Sequence, residues 1–343
     1  MKNQELQSLL QTPEYQFIHT NPLLKNNIMF LTLGGSHAYG TNVEGSDVDI
    51  RGCAFNTKSS LIGTSHFEQV QDNTTDTTIY AFNKLVSLCT ACNPNTIELL
   101  GCRPEHYLMV HPIGLEFLNN RKMFLSKRAI HSFGGYANQQ LRRLENALCR
   151  DTYEQKRQEE HIAASCMFAM SSFANKYSSF EDGAIRLYVD RSDKSDMDTE
   201  IFMDVTLTHY PLRDYKSIWS EFNNIVKDYG KLNGRNKKKD DAHLNKHAMH
   251  LVRLYLMCFD ILEKEEIITY RGNEIPELLA IRNGKYQKSD GTFRDEFFEM
   301  VDTYEKRMQY DARNTCLPDK PNSKRIEEWV ISCLLYTSDA ADE

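Results

Sequence analysis

The sequence lacks any long apolar run, and no segment approaches the roughly 18 apolar residues that a membrane-spanning helix needs. Its first residues contain no hydrophobic core of a signal peptide. The net charge is −7, so the positive excess of a general nucleic-acid-binding surface is missing as well. Cys89 and Cys92 have no second pair at zinc-finger spacing, which favours buried thiols over a metal site. These absences exclude integral membrane proteins and zinc fingers, and we expect a cytoplasmic protein without membrane partners.

The composition is that of a globular protein, with 41% hydrophobic and 26% charged residues in 343 positions. One strongly basic stretch, residues 231–239, is followed at once by two aspartates. We interpret it as a solvated loop, with a contact to nucleic-acid phosphates as the alternative. Residues 333–343 match the translated sequence of a transposase adapter used in sequencing libraries. We therefore expect the natural protein to continue differently after Ser332, and this tail is excluded from the fold prediction.

Residues 1–105 carry the signals of a small mixed α/β unit. The apolar run at 28–33 ends at Gly34 and Gly35, as a buried strand ends in a turn. Residues 47–55 alternate acidic and apolar side chains, which is the period of a half-buried strand. Further short strands are predicted at 67–70 and 77–82, and a helix at 82–92. Asn93 and Pro94 have the pattern of an N-cap followed by proline in the first helical turn.

Residues 106–332 are predicted to be mainly helical. Apolar residues recur at helical spacing from Ile130 to Leu148 and again from Leu244 to Leu262. The segment 182–204 has no helical period, and a loop, a hairpin or an insertion would each fit it. The sequence thus predicts an α+β protein in which a small mixed-sheet unit is followed by a helical domain.

Two carboxylates stand at a spacing suited to metal-dependent phosphate chemistry. Asp47 and Asp49 are two residues apart on a predicted strand, so both project from one face. Chemistry on a nucleoside triphosphate commonly uses two divalent ions held by carboxylates, and oxygen ligands suit Mg²⁺ or Mn²⁺. We therefore predict that Asp47 and Asp49 are catalytic, metal-binding residues.

A turn that could bind the triphosphate precedes these acids. Gly34 and Gly35 allow the backbone to approach a phosphate closely, and Ser36 adds a hydroxyl at the start of a predicted helix. A third carboxylate is expected from a neighbouring strand. We choose Asp76, which opens the strand at 77–82, with Asp72 and Glu98 as alternatives.

The segment GGSHAYGTNVEGSDVDIRG resembles the signature of DNA-polymerase-beta-type nucleotidyltransferases, hG[GS] followed by Dh[DE]h. More narrowly, it is similar to the RlaP-like family of predicted, RNA-repair-associated nucleotidyltransferases. The similarity continues in DTTIYAFNKLVSL, NPNTIELL, KHAMHLVRL and LLAIRNGKY, and so covers most of residues 28–287. The resemblance implies a polymerase-beta-like palm domain, Ser36 on the triphosphate, and Asp47, Asp49 and a third acid on the metal.

A helix late in the chain carries a row of cationic residues. Lys246, His250 and Arg253 share one helical face, opposite the apolar stripe. With the resemblance, this row is predicted to bind the nucleotide or an acceptor phosphate, although a solvated face is the simpler alternative. Smaller roles are considered for three further residues near the signature, namely His37, Arg51 and Lys84.

These features predict a nucleotidyltransferase that moves a nucleoside monophosphate from a nucleoside triphosphate, such as ATP, to a hydroxyl. The acceptor could be an RNA end, a protein or a small molecule. Template-directed synthesis is disfavoured because the acidic chain would repel duplex phosphates. The alternative is a catalytically silent, nucleotide-binding regulatory protein, a sensor or antitoxin-like molecule. Release of pyrophosphate that depends on a metal ion would distinguish the two.

Overall fold

A computed structural model describes residues 8–152, 161, 164, 184–193, 199–216, 219–220, 222–223 and 241–340. The chain divides into two compact units. The first comprises Met1–Gln140, Ala248–Lys285 and Asp295–Glu343, and the second comprises Leu141–His247 and Tyr286–Arg294. The boundary predicted at residue 105 therefore lies inside the first unit. One reason is that Phe117, from the region predicted to be a separate helical domain, packs edge-on against Phe30 of the sheet.

A five-stranded mixed sheet organises the first unit, in the order β3-β4-β2-β1-β5. Its strands are β1 (Ile28–Leu33), β2 (Ile50–Ala54), β3 (Gln69–Asp72), β4 (Thr77–Ala81) and β5 (Tyr107–Val110). Strand β1 pairs antiparallel with β2 and β5, and β3 pairs antiparallel with β4, whereas β2 and β4 run parallel. The strands predicted at 28–33 and 77–82 are confirmed, and the one predicted at 67–70 begins two residues later.

Strand β1 is apolar throughout because both faces of the sheet are covered at this position. Leu31 and Leu33 belong to one buried cluster with Ile50 and Ile79 from the neighbouring strands. Phe30 points to the other face, where two aromatic rings pack against it edge-on. A central strand buried on both faces is rigid, and the residues that follow its end are therefore well positioned.

Helices make up most of the rest of the described chain. They are α1 (Phe17–Thr20), α2 (Gly35–Tyr39), α3 (Lys58–Leu61), α4 (Phe82–Thr90), α5 (Pro94–Ile97), α6 (Pro112–Asn119), α7 (Arg128–Thr152), α8 (Asp241–Lys264), α9 (Ile275–Arg282), α10 (Asp295–Asn314) and α11 (Ser323–Ala340). Short 3-10 helices lie at Pro13–Tyr15, Glu98–Gly101, Pro104–His106, Arg121–Phe124 and Gly272–Glu274. The predicted cap is confirmed, since the Asn93 side chain accepts a hydrogen bond from the Asn95 N–H. The predicted fold class, α+β with a small mixed sheet and a helical C-terminal region, is confirmed too.

In the segment at 182–204 that lacked a helical period, the described residues form two antiparallel strands, β6 (Ile185–Arg191) and β7 (Thr199–Val205). The basic stretch 231–239 lies outside the described residues. Cys89 and Cys92 are both buried, as predicted. Among the helices that the structure describes, none is long and apolar enough to cross a bilayer.

Candidate active site

The phosphate turn, Gly34 to Ser36, connects the end of β1 to the short helix α2. Gly34 is the N-cap of this helix, and its N–H donates to the carbonyl oxygen of Asp49 at 2.9 Å. Gly35 has a φ of +54°, a backbone conformation that costs glycine little and other residues more. The helix ends at Gly40, also left-handed at φ +78°, beside the ring of Tyr270. The turn thus has a fixed conformation that depends on glycine at both ends of the helix.

The carboxylate of Asp49 lies directly against the phosphate turn. A Cβ atom placed on Gly35 would be 1.7 Å from Asp49 Oδ2, closer than any non-bonded contact allows. A Cβ placed on Gly34 would be 2.8 Å from Cγ of Arg51. The two glycines are therefore required by close packing as well as by backbone conformation, and they bring the turn and the acidic segment together.

Asp49 and Asp76 come together because β2 and β4 run parallel. The register pairs Ile50 with Thr77, so each aspartate lies one residue before a paired position. Arg51 lies between them, and its Nη2 donates to Asp49 Oδ1 at 3.4 Å and to Asp76 Oδ1 at 3.0 Å. Its Nη1 donates to the carbonyl oxygens of Ile50, at 3.0 Å, and of Asp76. Two of the three predicted acids thus converge on one guanidinium group.

The Asp76 carboxyl is partly open to solvent, with 58% of its side chain exposed. A hydrogen bond with the Asp49 side chain, opposed by burial and assisted by the positive charge of Arg51, lowers the pKa of Asp76. It is therefore ionised at neutral pH. The backbone of Asp76 is left-handed, at φ +45°, which aspartate tolerates better than most residues.

The position of Asp47 differs from the sequence prediction. Strand β2 begins at Ile50, so the segment from Asp47 to Asp49 leads into the strand instead of forming part of it. The reason is that the pairing of β1 with β2 ends at Leu33 and Ile50, after which the chain turns away at Gly34. Asp47 is exposed. Within the described residues, no three Asp, Glu, His or Cys side chains are placed to hold one metal ion.

Asp72 and Glu98, the two alternatives for the third acid, contact other partners in the structure. Asp72 accepts hydrogen bonds from the N–H and the hydroxyl of Thr75, both at 2.8 Å, and so stabilises the turn between β3 and β4. Glu98 is buried, and its Oε2 accepts from Arg253 Nη1 at 3.1 Å. Asp76 is therefore the candidate that meets Asp49, and its role as the third catalytic acid stays a prediction.

Arg253 belongs to a buried network that the sequence did not indicate. Its guanidinium lies 3.7 Å from the ring centre of Tyr39, in helix α2, and the Tyr39 hydroxyl donates to Glu98 Oε1 at 2.7 Å. The Tyr39 carbonyl also accepts from the N–H of Arg271. The Thr269 hydroxyl donates to the Glu98 carbonyl at 2.5 Å. These contacts fix the far end of the helix whose first residues form the phosphate turn.

The predicted cationic row on α8 is not one solvent-exposed face. Lys246 is exposed and His250 is half-buried, but the Arg253 side chain is only 5% exposed. The row runs into the interior because Glu98 and Tyr39 offer a counter-charge and an aromatic face there. Binding of the nucleotide by these three residues stays a prediction, and the Arg253 guanidinium is already engaged within the protein.

The remaining residues considered near the signature have partners within the protein. The His37 ring nitrogen Nε2 lies 3.4 Å from the Ser46 carbonyl oxygen. Lys84 forms an ion pair with Glu68 at 3.0 Å, at the surface. Arg51 is thus the one of the three that contacts the acids directly.

Comparison with known proteins matches most of the chain to one family. Residues 3–332 match the family described as RlaP, the RNA repair pathway DNA polymerase beta family. The chain belongs to this family. The RlaP match contains the phosphate turn, all three predicted acids and the buried network, and it stops where the adapter-like tail begins. Membership indicates a nucleotidyltransferase-like function in RNA repair. No curated protein and no solved structure gives a significant match.

Two acids of this RlaP family member, Asp49 and Asp76, have the ligand chemistry that a divalent cation requires. The carboxylates of Asp49 and Asp76 already face a shared positive charge, and Asp47 adds further oxygen atoms on the same segment. A donor set made only of carboxylate oxygens suits Mg²⁺ or Mn²⁺ and suits softer ions less. The fit is therefore one of donor chemistry and of the convergence of Asp49 and Asp76 on the Arg51 guanidinium.

Proposed function

We propose that the protein transfers a nucleoside monophosphate from a nucleoside triphosphate to a hydroxyl group, in a metal-dependent reaction without a template. The observation that carries the proposal is the contact between the phosphate turn and the acids. Asp49 packs so tightly against Gly35 that even a methyl group would not fit between them. A triphosphate bound at the turn would therefore lie within reach of the acidic segment.

The turn supplies the groups that bind the triphosphate in this proposal. The first N–H groups of a helix have no acceptor within it and so can donate to phosphate oxygens. The Ser36 hydroxyl, half-buried at the start of α2, would donate a further hydrogen bond. Gly35 carries no side chain that would stand between its backbone and a phosphate. Tyr39, fixed by Glu98 and Arg253, would keep the helix in place while the ligand binds.

The acids would hold two Mg²⁺ or Mn²⁺ ions, which neutralise the phosphate charge and make the acceptor hydroxyl more acidic. Asp47 and Asp49 would be ligands, and Asp76 the third. The acceptor oxygen forms a bond to the α-phosphorus, while the bond to the bridging oxygen of the β-phosphate breaks and pyrophosphate leaves. Asp76, ionised and partly exposed, would accept the hydroxyl proton.

The acceptor is proposed to be an RNA end, which the family description favours, with a protein or a small molecule as the other classes. The chain has a net charge of −7, and an acidic surface would repel a long duplex away from the site. Addition of one or a few nucleotides to an end is therefore the form of the reaction that fits best.

The test is to incubate the protein with each labelled triphosphate, with Mg²⁺ or Mn²⁺, and with pools of cellular RNA and protein. Label should move to one pool with release of pyrophosphate, and Asp49→Asn should abolish both. Asp302→Asn is the matched control, since Asp302 is 60% exposed, forms an ion pair with Lys306, and lies on α10, which contributes none of the predicted acids. The alternative, a silent nucleotide-binding regulator, would bind triphosphate but release no pyrophosphate with any acceptor.

A further inference from the structure

Arg51 is held at the centre of the acidic site by more contacts than a surface arginine usually makes. Its guanidinium donates to the carboxylates of Asp49 and Asp76 and to two backbone carbonyls. Gly34 makes room for its side chain, since a Cβ there would be 2.8 Å from Arg51 Cγ. Only 22% of the side chain is exposed. The local sequence and the register of β2 and β4 thus place one positive charge between the two acids.

The place that Arg51 takes is the place where the proposed function needs a divalent cation. When both are ionised, Asp49 and Asp76 repel each other unless a positive charge lies between them. Arg51 provides one such charge, and a divalent ion would provide two. A guanidinium and a metal ion cannot both occupy the space between the same two carboxylate oxygens.

We propose that Arg51 is an internal counter-ion that a divalent cation displaces, and that the released guanidinium then binds a phosphate oxygen of the nucleotide. This inference rests on the proposed function. Arginine suits both positions, because its planar group binds carboxylates and phosphates with the same pair of N–H donors. The side chain is long and partly exposed, so it can change partner. Arg253 and Arg271, with 5% and 1% of their side chains exposed, are enclosed and stay in place.

The first test measures metal affinity without nucleotide, by following free Mn²⁺ in electron paramagnetic resonance. Arg51→Gln should bind Mn²⁺ at least fivefold more tightly than the unmodified protein, because the competing charge is gone. Arg51→Lys should lie between them, since an ammonium group cannot contact both carboxylates in the same planar way. Lys84→Gln is the matched control for loss of one positive charge and should leave the Mn²⁺ affinity unchanged. Triphosphate affinity, measured with Mn²⁺ present, should fall at least tenfold in Arg51→Gln.

The second test uses the unmodified protein, so it does not depend on the folding of a variant. Phenylglyoxal modifies accessible arginines, and mass spectrometry of peptides shows which ones react. Arg51 should react at least threefold faster with Mn²⁺ than without it, and Arg103, 47% exposed, should react equally in both. Equal Mn²⁺ affinity in all variants, or an Arg51 reactivity that Mn²⁺ does not raise, overturns the inference alone. Failure of the unmodified protein to bind Mn²⁺, with or without nucleotide, overturns the proposed function and this inference together.

Discussion

Replacing Glu98 by glutamine removes the counter-charge of a buried arginine. The Glu98 and Arg253 side chains are 8% and 5% exposed, and their 3.1 Å contact is the only ion pair that the described residues give Arg253. Loss of one partner of a buried ion pair costs about 3–5 kcal/mol, because the remaining charge stays out of water. Against a typical total stability of about 5–15 kcal/mol, this is a large share. We expect the melting temperature of Glu98→Gln to fall by on the order of 10 °C.

Asp76→Asn should lower turnover and leave the stability of the protein nearly unchanged. The Asp76 side chain is 58% exposed, and a pair such as the one with Arg51 contributes about 1 kcal/mol or less. Stability should therefore change little. Turnover should fall by orders of magnitude while triphosphate binding is kept, because the proposed role of Asp76 belongs to the transition state.

Thermal unfolding and pyrophosphate release, measured on the same preparations, distinguish a structural role of Glu98 from a catalytic role of Asp76. Glu105→Gln is the control for Glu98→Gln, because Glu105 is also paired with an arginine but has 53% of its side chain exposed. By the same scaling, the melting temperature of this control should lie within about 2 °C of that of the unmodified protein. An unchanged melt for Glu98→Gln would refute the assigned importance of the ion pair. A stable but inactive Glu98→Gln, together with a fully active Asp76→Asn, would show that Glu98 is the third acid.

Three further predictions concern the acids, the phosphate turn and pH. Asp47→Ala or Asp49→Ala should abolish transfer in the pyrophosphate assay with little change in melting temperature, and full activity in either would contradict the two-ion site. Ser36→Ala should weaken triphosphate binding in calorimetry by about 1–2 kcal/mol, and Gly35→Val should weaken it further because its side chain would overlap Asp49. Burial, and after it a neighbouring glutamate, raises the pKa of Asp311 to about 6. The protonated Asp311 carboxyl thus contributes stability that is present below pH 4 and is lost as the pH rises through 6. Asp311→Asn should therefore raise the melting temperature more at pH 7.5 than at pH 4.5. Equal shifts at the two pH values would contradict this prediction.

The parts of the site that depend on neighbouring residues could be predicted from the sequence. The strand at 28–33, the glycine turn after it and the strand after Asp76 all have local signals in apolar runs, glycines and β-branched residues. The segment from Asp47 to Asp49 is predicted as strand because its acidic and apolar side chains alternate with the period of a strand. Whether a strand forms there depended on β1 continuing beside it, and β1 ends at Leu33.

The buried network could not be predicted in the same way. Periodicity showed which face of α8 is apolar and left Arg253 on the other face, where solvent is the usual surrounding. Its burial depends on Glu98, 155 residues earlier in the chain, and on the ring of Tyr39. No spacing rule connects residues so far apart, so the pairing became visible only in the fold.

The distance along the chain between Glu98 and Arg253 also has a consequence for synthesis on the ribosome. At about 5–20 residues per second, the 155 residues that separate them take roughly 8–30 s to make. During that time the strands and the phosphate turn have left the ribosome, but the arginine that neutralises Glu98 does not yet exist. Until then Glu98, which lies in the 3-10 helix after the fourth strand, has no arginine partner, and we expect the buried network to form only after α8 has been synthesised.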